Sequence, residues 1–176
     1  MGSQKLLKKV LIVLILLTAM AMLSGCGETT TSNPTDEKTI TNQLNAEEII
    51  NKMKNENPNI GKIVVYTEDT DTNQLLGRPG QYTSKILFED KRLKQENANN
   101  EYLTEEERNE PTGGTIEVFA NEKDMESRKK YVENFTSTAM FSQYVYAKGN
   151  VLLRVEGKLT PSQAKEYEGL LNKIVK

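Results

Sequence analysis

The sequence predicts an α+β fold: a mainly antiparallel sheet of about five strands with helices packed on one face, in two layers. Three observations support this prediction. Runs of β-branched and aromatic residues, each of strand length, recur between residues 62 and 156. Stretches with helical spacing and N-cap residues precede, interrupt and follow these runs. Connections of hairpin length favour antiparallel pairing of the strands.

The first part of the domain is predicted to contain one helix and two strands. Asn45 and Glu48 form a capping-box pattern, and Pro58 lies in the turn that ends this helix. Its apolar stripe is Ile49, Ile50 and Met53. Residues 62–68 and 82–89 have the composition of strands. The residues expected on one face of the second strand are Tyr82, Ser84, Ile86 and Phe88.

A polar stretch rich in Glu and Asn separates the second and third predicted strands. It covers residues 94–112, and we expect an exposed excursion with a short helix at 104–109. The third strand is predicted at 115–120. Asn121, followed three residues later by Asp124, caps a helix that extends to about residue 136. The inner side of this helix is expected to contain Met125, Arg128, Tyr131, Val132 and Phe135.

A hairpin and a helix complete the domain, which we place at residues 45–176. Strands at 143–147 and 151–156 flank a turn in which Gly149 and Asn150 suit positive φ. The start of the last helix is marked by the cap Thr160, by Pro161 and by the capping-box residue Gln163. The buried stripe of that helix is Ala164, Tyr167, Leu171 and Ile174.

The N-terminal segment has the features of a signal peptide. Three lysines between residues 5 and 9 precede an uncharged, mostly apolar run at 10–23, which is too short for a membrane-spanning helix. Leu23-Ser24-Gly25-Cys26 then resembles the lipobox of bacterial lipoprotein signal peptides. The resemblance implies that residues 1–25 are removed and that the Cys26 thiol receives a diacylglyceryl group, which anchors the protein to the extracytoplasmic face of the membrane. The alternatives are an uncleaved anchor or an ordinary secretory signal.

Charge limits the partners that this protein can have. Removal of residues 1–25 takes away three of the 23 basic residues and no acid, which leaves 20 basic and 25 acidic residues, a net charge of −5. Such a chain is not expected to bind nucleic acid, or anionic lipid by charge alone. Residues 26–44, rich in Thr, Asn and charged side chains, are predicted to form a flexible tether between the lipid and the domain.

Composition also excludes the commonest catalytic groups. The chain has no His and one Cys, so it cannot form a Cys/His zinc site, a Ser-His-Asp triad or an intrachain disulfide. Acylation would consume Cys26, the one thiol. We therefore predict a protein without a cofactor and without enzymatic activity.

A polar loop offers one candidate ligand site. Asp69, Asp71 and Asn73 present oxygen ligands at alternate positions and resemble the opening of a calcium loop. Gln74 and Gly80 stand where an EF-hand has Gly and Glu. A loop whose polar side chains cap turns is therefore the preferred interpretation.

Two further pairs of residues are candidates. Arg78 and Tyr82 flank a Pro-Gly pair that suits a type II turn, and together they could present a ligand-binding edge. An ordinary turn that leads into a strand is the interpretation we favour. Glu117 and Arg154 each lie between apolar neighbours on predicted strands, so we expect a cross-strand ion pair if those strands adjoin.

Three segments of the domain carry a second resemblance. They are Leu76-Gly77-Arg78-Pro79-Gly80-Gln81-Tyr82-Thr83-Ser84-Lys85, Gly114-Thr115-Ile116-Glu117-Val118-Phe119, and Val151-Leu152-Leu153-Arg154-Val155 with Leu159-Thr160-Pro161. In these segments the chain resembles a family of small exported proteins and lipoproteins of Gram-positive bacteria. The resemblance implies export and a shared fold, and it names neither an activity nor a substrate.

Three functions are compatible with these features. The first is a lipid-anchored module at the cell surface that binds an unidentified protein or small-molecule ligand. The second is a membrane-tethered hydrolase that uses carboxylates or a bound metal, which requires a cleft with two or more acids. The third is a lipoprotein that excludes phage or plasmid entry, which the neighbouring genes would reveal. We rank them in this order.

Overall fold

The computed structural model describes residues 43–93, 101–102, 104–105, 109–136 and 142–176. The helices are α1 (Ala46–Glu56), α2 (Glu122–Thr136) and α3 (Pro161–Ile174). The strands are β1 (Ile60–Val65), β2 (Tyr82–Asp90), β3 (Gly113–Phe119), β4 (Gln143–Lys148) and β5 (Val151–Glu156). In chain order the elements alternate as α1-β1-β2-β3-α2-β4-β5-α3. The predicted α+β class is confirmed.

The five strands form one antiparallel sheet in the order β1-β2-β3-β5-β4. The central strand β3 is buried along its whole length and pairs with β2 on one side and β5 on the other. In the chain, helix α2 and strand β4 lie between β3 and β5. In the sheet, β5 pairs directly with β3, and β4 lies at the edge beside β5. The predicted five-stranded antiparallel sheet is confirmed.

Helices α1 and α3 cover the first face of this sheet. Side chains that alternate along the strands point toward them, which is the pattern that a half-buried sheet requires. The rings of Phe88 and Tyr167 pack with centroids 5.3 Å apart. The completely buried members of this core include Ala46, Ile49, Ile50, Met53, Ile60, Ile86, Phe88, Ile116, Val151, Leu153, Val155 and Tyr167.

Helix α2 packs on the second face, so the expectation that the helices share one face is wrong for this helix. A separate apolar cluster joins it to the sheet and to the loop between β1 and β2. Its buried members are Leu76, Tyr82, Phe119, Met125, Val132 and Leu152. The sheet therefore has a complete layer on one side and a partial layer on the other.

Strand β2 departs from the predicted alternation at its first residue. The register between β2 and β3 shifts between Tyr82 and Ser84. As a result Tyr82 belongs to the second face, while the Ser84 hydroxyl lies on the first face and accepts a hydrogen bond from the Ala46 amide at 2.9 Å. The expectation that Tyr82, Ser84, Ile86 and Phe88 share one face is wrong for Tyr82.

Local signals in the sequence correspond closely to the helix ends. Both predicted capping boxes are present, one formed by Asn45 with Glu48 and the other by Thr160 with Gln163. In the β4–β5 turn, Gly149 has a positive φ of 54°, as predicted. The expectation of a positive φ is wrong for Asn150, whose buried side-chain amide donates to the Phe119 carbonyl.

Several predictions concern residues outside the described part of the chain. These are the signal peptide, the lipobox with Cys26, the tether up to residue 42, and most of the polar stretch 94–112 with its short helix. Within the described residues, no helix has both the length and the apolar character needed to cross a bilayer.

Candidate functional site

The second face of the sheet is open beside helix α2, and the opening forms a trough. A larger groove of about 760 Å³ runs between α2 and the ends of β4 and β5, and a smaller one of about 410 Å³ continues toward β1 and β2. The two grooves share Asn73, Arg154, Glu156 and Lys158. We call the joined grooves the trough, and Arg154 lies where they meet.

A buried ion cluster lies beneath the larger groove. The carboxylate of Glu117 on β3 is completely buried and accepts hydrogen bonds from the Nε and one Nη of Arg128, each at 3.0 Å. Arg154 on β5 donates to the same carboxylate from one Nη at 3.1 Å. The predicted ion pair between Glu117 and Arg154 is confirmed. The two are diagonal neighbours, since Glu117 is directly opposite Leu152.

Charge in this cluster is unbalanced. Burial alone would lower the pKa of Arg128, but the hydrogen bonds and the charge of Glu117 outweigh burial and raise that pKa above its usual value. Arginine side chains stay protonated in proteins, so Arg128 and Arg154 place two cations on one carboxylate. The Nε–H group of Arg154 is buried and has no hydrogen-bond partner among the described residues. The cluster carries one net positive charge at the floor of the trough.

An aromatic pair on helix α2 forms one wall of the larger groove. Tyr131 and Phe135 are four residues apart, so they lie on the same side of the helix. Their ring centroids are 4.9 Å apart, and each residue is 55% exposed. The guanidinium carbon of Arg128 lies 5.4 Å from the centre of the Tyr131 ring, which connects the aromatic wall to the ion cluster.

Asp71 holds together the loop that borders the trough on its other side. One oxygen of its buried carboxylate accepts hydrogen bonds from the amides of Leu75 and Leu76 at 2.9 and 3.0 Å and from the Tyr82 hydroxyl at 2.6 Å. The other oxygen pairs with the Lys85 ammonium at 2.7 Å. This one side chain therefore ties the loop to strand β2.

These contacts determine the ionisation of the groups involved. Burial alone would raise the pKa of Asp71, but the bonds from Lys85, Tyr82 and two amides outweigh burial and hold that pKa well below its usual range. Burial, together with the hydrogen bond to Asp71, raises the pKa of Tyr82 well above its usual value. At neutral pH the loop is therefore held by a carboxylate and by a neutral phenol.

Calcium binding is not favoured by this geometry. Asp69 is exposed, whereas Asp71 is buried and Lys85 already occupies the position beside its carboxylate. Asn73 donates its side-chain amide to the Tyr82 hydroxyl at 3.3 Å. Among the residues that the structure describes, no three Asp, Glu, His or Cys side chains are grouped so that they could hold a metal ion.

The two residues of the second candidate pair, Arg78 and Tyr82, lie in different environments. Arg78 is exposed, but Tyr82 is completely buried, so the hypothesis that both present a ligand-binding edge is wrong for Tyr82. The predicted type II turn between them is supported. Gly80 has a φ of 73°, and the Gln81 amide donates to the Arg78 carbonyl at 3.0 Å.

Lys85 forms part of the smaller groove. Its ammonium group lies 4.2 Å from the centre of the Tyr66 ring, and the Tyr66 hydroxyl donates to Glu110 at 2.8 Å. Glu110 and Glu156 are the two acids that line this groove. The trough therefore contains carboxylates as well as cations.

Sequence reasoning missed the roles of Lys85, Arg128 and Asp71. A signal was present for Lys85, which stands inside a strand pattern just before the apolar run Ile86-Leu87-Phe88, as Glu117 stands between apolar residues on the next strand. The register pairs these two residues directly. For Arg128, the signal was its position among the inward-facing residues of a helix.

Comparison with known proteins identifies no relative of this chain. No family model, curated protein sequence or solved structure matches this chain at a significant level.

Proposed function

We propose that this protein is a lipid-anchored module on the extracytoplasmic face of the cell membrane, where its domain binds a ligand in the trough. The lysine cluster, the apolar run and the lipobox support the anchor, with Cys26 as the lipidated residue. A diacylglyceryl group holds a protein at a membrane more firmly than a single chain does. The tether at 26–44 would separate the domain from the lipid.

The trough is the observation that carries the binding function. It is concave, it has an exposed aromatic wall, and its floor contains a buried ion cluster with an unbalanced cation. Ligand sites typically combine apolar walls with a few convergent polar groups. Exposed aromatic rings are enriched at interaction sites, and here they stand beside such a group.

Metabolic labelling with a fatty-acid analogue tests the anchor. Wild type and Ser24→Ala, which keeps a small residue in the lipobox, should both incorporate the label and lose residues 1–25. Cys26→Ser should incorporate none and keep its signal peptide. Equal labelling of Cys26→Ser and wild type would contradict the anchor.

Saturation-transfer NMR tests binding in the trough. The full chain, in nonionic detergent, is screened with a small set of acidic, basic and neutral aromatic fragments. We expect saturation transfer to at least one fragment class, and its loss in the Tyr131→Ala/Phe135→Ala double variant. Tyr102→Ala is the matched control, because Tyr102 is 92% exposed and does not line the trough. Unchanged transfer in the double variant would contradict binding at this site.

A hydrolase ranks second. The smaller groove meets the requirement for two acids, since Glu110 and Glu156 both line it. Glu110, however, already accepts a hydrogen bond from the Tyr66 hydroxyl at 2.8 Å, which engages one of the two acids. We therefore propose a binding protein rather than an enzyme.

A further inference from the structure

We infer that the trough selects ligands with one carboxylate and an aromatic ring: the carboxylate pairs with Arg154 and the ring packs on Tyr131 and Phe135. This inference rests on the proposed binding function and names the class of ligand. It follows from the charge balance of the ion cluster, from the geometry of Arg154 and from the position of the aromatic wall.

The charge balance favours an anion at Arg154. Glu117 is satisfied by Arg128 alone, which supplies two hydrogen bonds of 3.0 Å to its two oxygens. Arg154 adds a third bond from one Nη, and because its Nε–H is buried, the remaining hydrogens of its two Nη groups are the donors that an acceptor in the trough could reach. An acidic ligand would neutralise the excess cation without separating Glu117 from Arg128.

The shape of Arg154 favours a carboxylate in particular. A guanidinium presents its N–H groups as a planar fork that matches the two oxygens of a carboxylate. The Arg154 side chain is 16% exposed and lines both grooves, so it is partly desolvated yet reachable from the trough. A charge-assisted hydrogen bond is stronger in such an environment than at a fully exposed site.

The aromatic wall provides the contacts for the ring of the ligand. Tyr131 and Phe135 line the same groove as Arg154, and Arg128 bridges the wall and the ion cluster. A ligand ring placed against these exposed rings would bury apolar surface and gain the preference of aromatic groups for one another. An acid with a ring therefore fits better than a small acid such as acetate.

The other charges of the trough bear on how much negative charge a ligand can carry. Glu156 and Lys158 both line the two grooves and offset each other, and in the smaller groove Lys85 is paired with Asp71 while Glu110 adds a further negative charge. A dianion held at Arg154 would place a second charge near these acids, and like charges repel in a partly desolvated site. A monocarboxylate avoids this cost, whereas an aryl phosphate does not.

Isothermal titration calorimetry on the full chain in nonionic detergent tests the inference with three probes. Indole-3-acetate and indole-3-acetamide have the same ring and differ in charge, and phenyl phosphate is an aromatic dianion. We expect indole-3-acetate to bind roughly tenfold or more tighter than the amide, in line with hydrogen bonds to charged groups. It should also bind tighter than phenyl phosphate.

Variants assign the preference to one side chain. Arg154→Met should abolish the preference for the acid, and Arg154→Lys should restore part of it, because it keeps the charge and loses the fork. Lys148→Met is the matched control, since Lys148 is an exposed cation on the same sheet that does not line the trough. It should leave the preference unchanged.

The outcomes separate this inference from the proposed function. Equal binding of acid and amide would overturn the inference and leave binding in the trough intact. Tighter binding of phenyl phosphate would overturn the single-charge rule. If no probe binds, the inference fails, and the fragment screen with the Tyr131→Ala/Phe135→Ala variant decides the proposed function separately. If Arg154→Met does not fold, the relative affinities of the three probes for the wild type still test the inference.

Discussion

Asp71→Asn is expected to destabilise the domain strongly although it preserves the size of the side chain. In the wild type, the Asp71 carboxylate pairs with the Lys85 ammonium at 2.7 Å, and Lys85 is only 5% exposed. The amide cannot balance that charge, and the desolvated ammonium stays in place. Asn can still accept some hydrogen bonds from the Leu75 and Leu76 amides, so most of the lost stability comes from the Lys85 ammonium, which has lost its counter-ion.

The magnitude follows from the burial of the pair. Removal of one partner of a buried ion pair typically costs about 3–5 kcal/mol. The Tyr66 ring, 4.2 Å from the ammonium, retains part of the stabilisation of Lys85, and such a contact contributes about 1 kcal/mol. We therefore expect the free energy of unfolding to fall by about 2–4 kcal/mol, a large share of the usual total of about 5–15 kcal/mol.

Urea unfolding at neutral pH, followed by circular dichroism, measures this loss. With a slope of about 2 kcal/mol per molar urea, the midpoint should fall by about 1–2 M. Asp69→Asn is the matched control, because Asp69 is an exposed acid in the same loop, and its effect should stay within about 0.5 kcal/mol. Equal effects of the two substitutions would refute the account of Asp71.

The same pair predicts how stability depends on acid. The pKa of Asp71 is lower in the folded than in the unfolded protein. Its contribution is therefore complete above the unfolded value of about 4 and is lost as the pH falls below it. In Asp71→Asn this part of the acid dependence should be absent, and an unchanged acid profile would contradict the reasoning.

Three further results are expected. Burial and hydrogen bonds to carboxylates raise the pKa of Tyr82 and of Tyr167 well above the usual 10, so their contribution is complete below pH 10. Above it, stability should fall by about 1.4 kcal/mol per pH unit for each tyrosine, and Tyr82→Phe should reduce this slope in alkaline urea titrations. Arg128→Met should lower stability by at least about 1 kcal/mol more than Arg154→Met, because Arg128 donates two hydrogen bonds to the Glu117 carboxylate and Arg154 donates one. A larger loss for Arg154→Met in urea unfolding would contradict these roles of the two arginines. Gly169→Ala should raise stability by about 0.5–1 kcal/mol, since Gly169 lies in helix α3 and an added Cβ would meet nothing within 4 Å; a lower melting temperature would contradict this.

Local interactions explain what could be predicted from the sequence. A capping box depends on residues three positions apart, so Asn45 with Glu48 and Thr160 with Gln163 were visible without tertiary information. The Pro-Gly turn before β2 depends on one positive φ, which Gly80 supplies.

Long-range pairing explains what could not be predicted. The apolar stripe of helix α2 indicates that the helix packs on something, but either face of the sheet would satisfy it. The register shift after Tyr82 moves that ring to the second face, and an alternation rule has no means of detecting a bulge within a strand. Asp71 becomes a hub only because the fold brings Lys85 and Tyr82 to it.

The candidate site was predicted only in part for the same reason. The pair of Glu117 and Arg154 followed from two charged residues in apolar strands. Arg128 joins the pair because helix α2 lies on the second face, which the sequence pattern did not indicate. The aromatic wall of Tyr131 and Phe135 was assigned to the core because its spacing is that of a buried stripe, yet both residues are largely exposed.

The most direct test of the account is a map of amide chemical shifts in the presence of indole-3-acetate. In ¹H–¹⁵N spectra of the full chain in nonionic detergent, we predict that the largest shifts fall within the segments 128–135 and 154–158, which contribute lining residues to the larger groove. Residues of α1 and α3, on the opposite face of the sheet, should not move. Shifts confined to those helices, or spread evenly over the domain, would contradict a binding site in the trough.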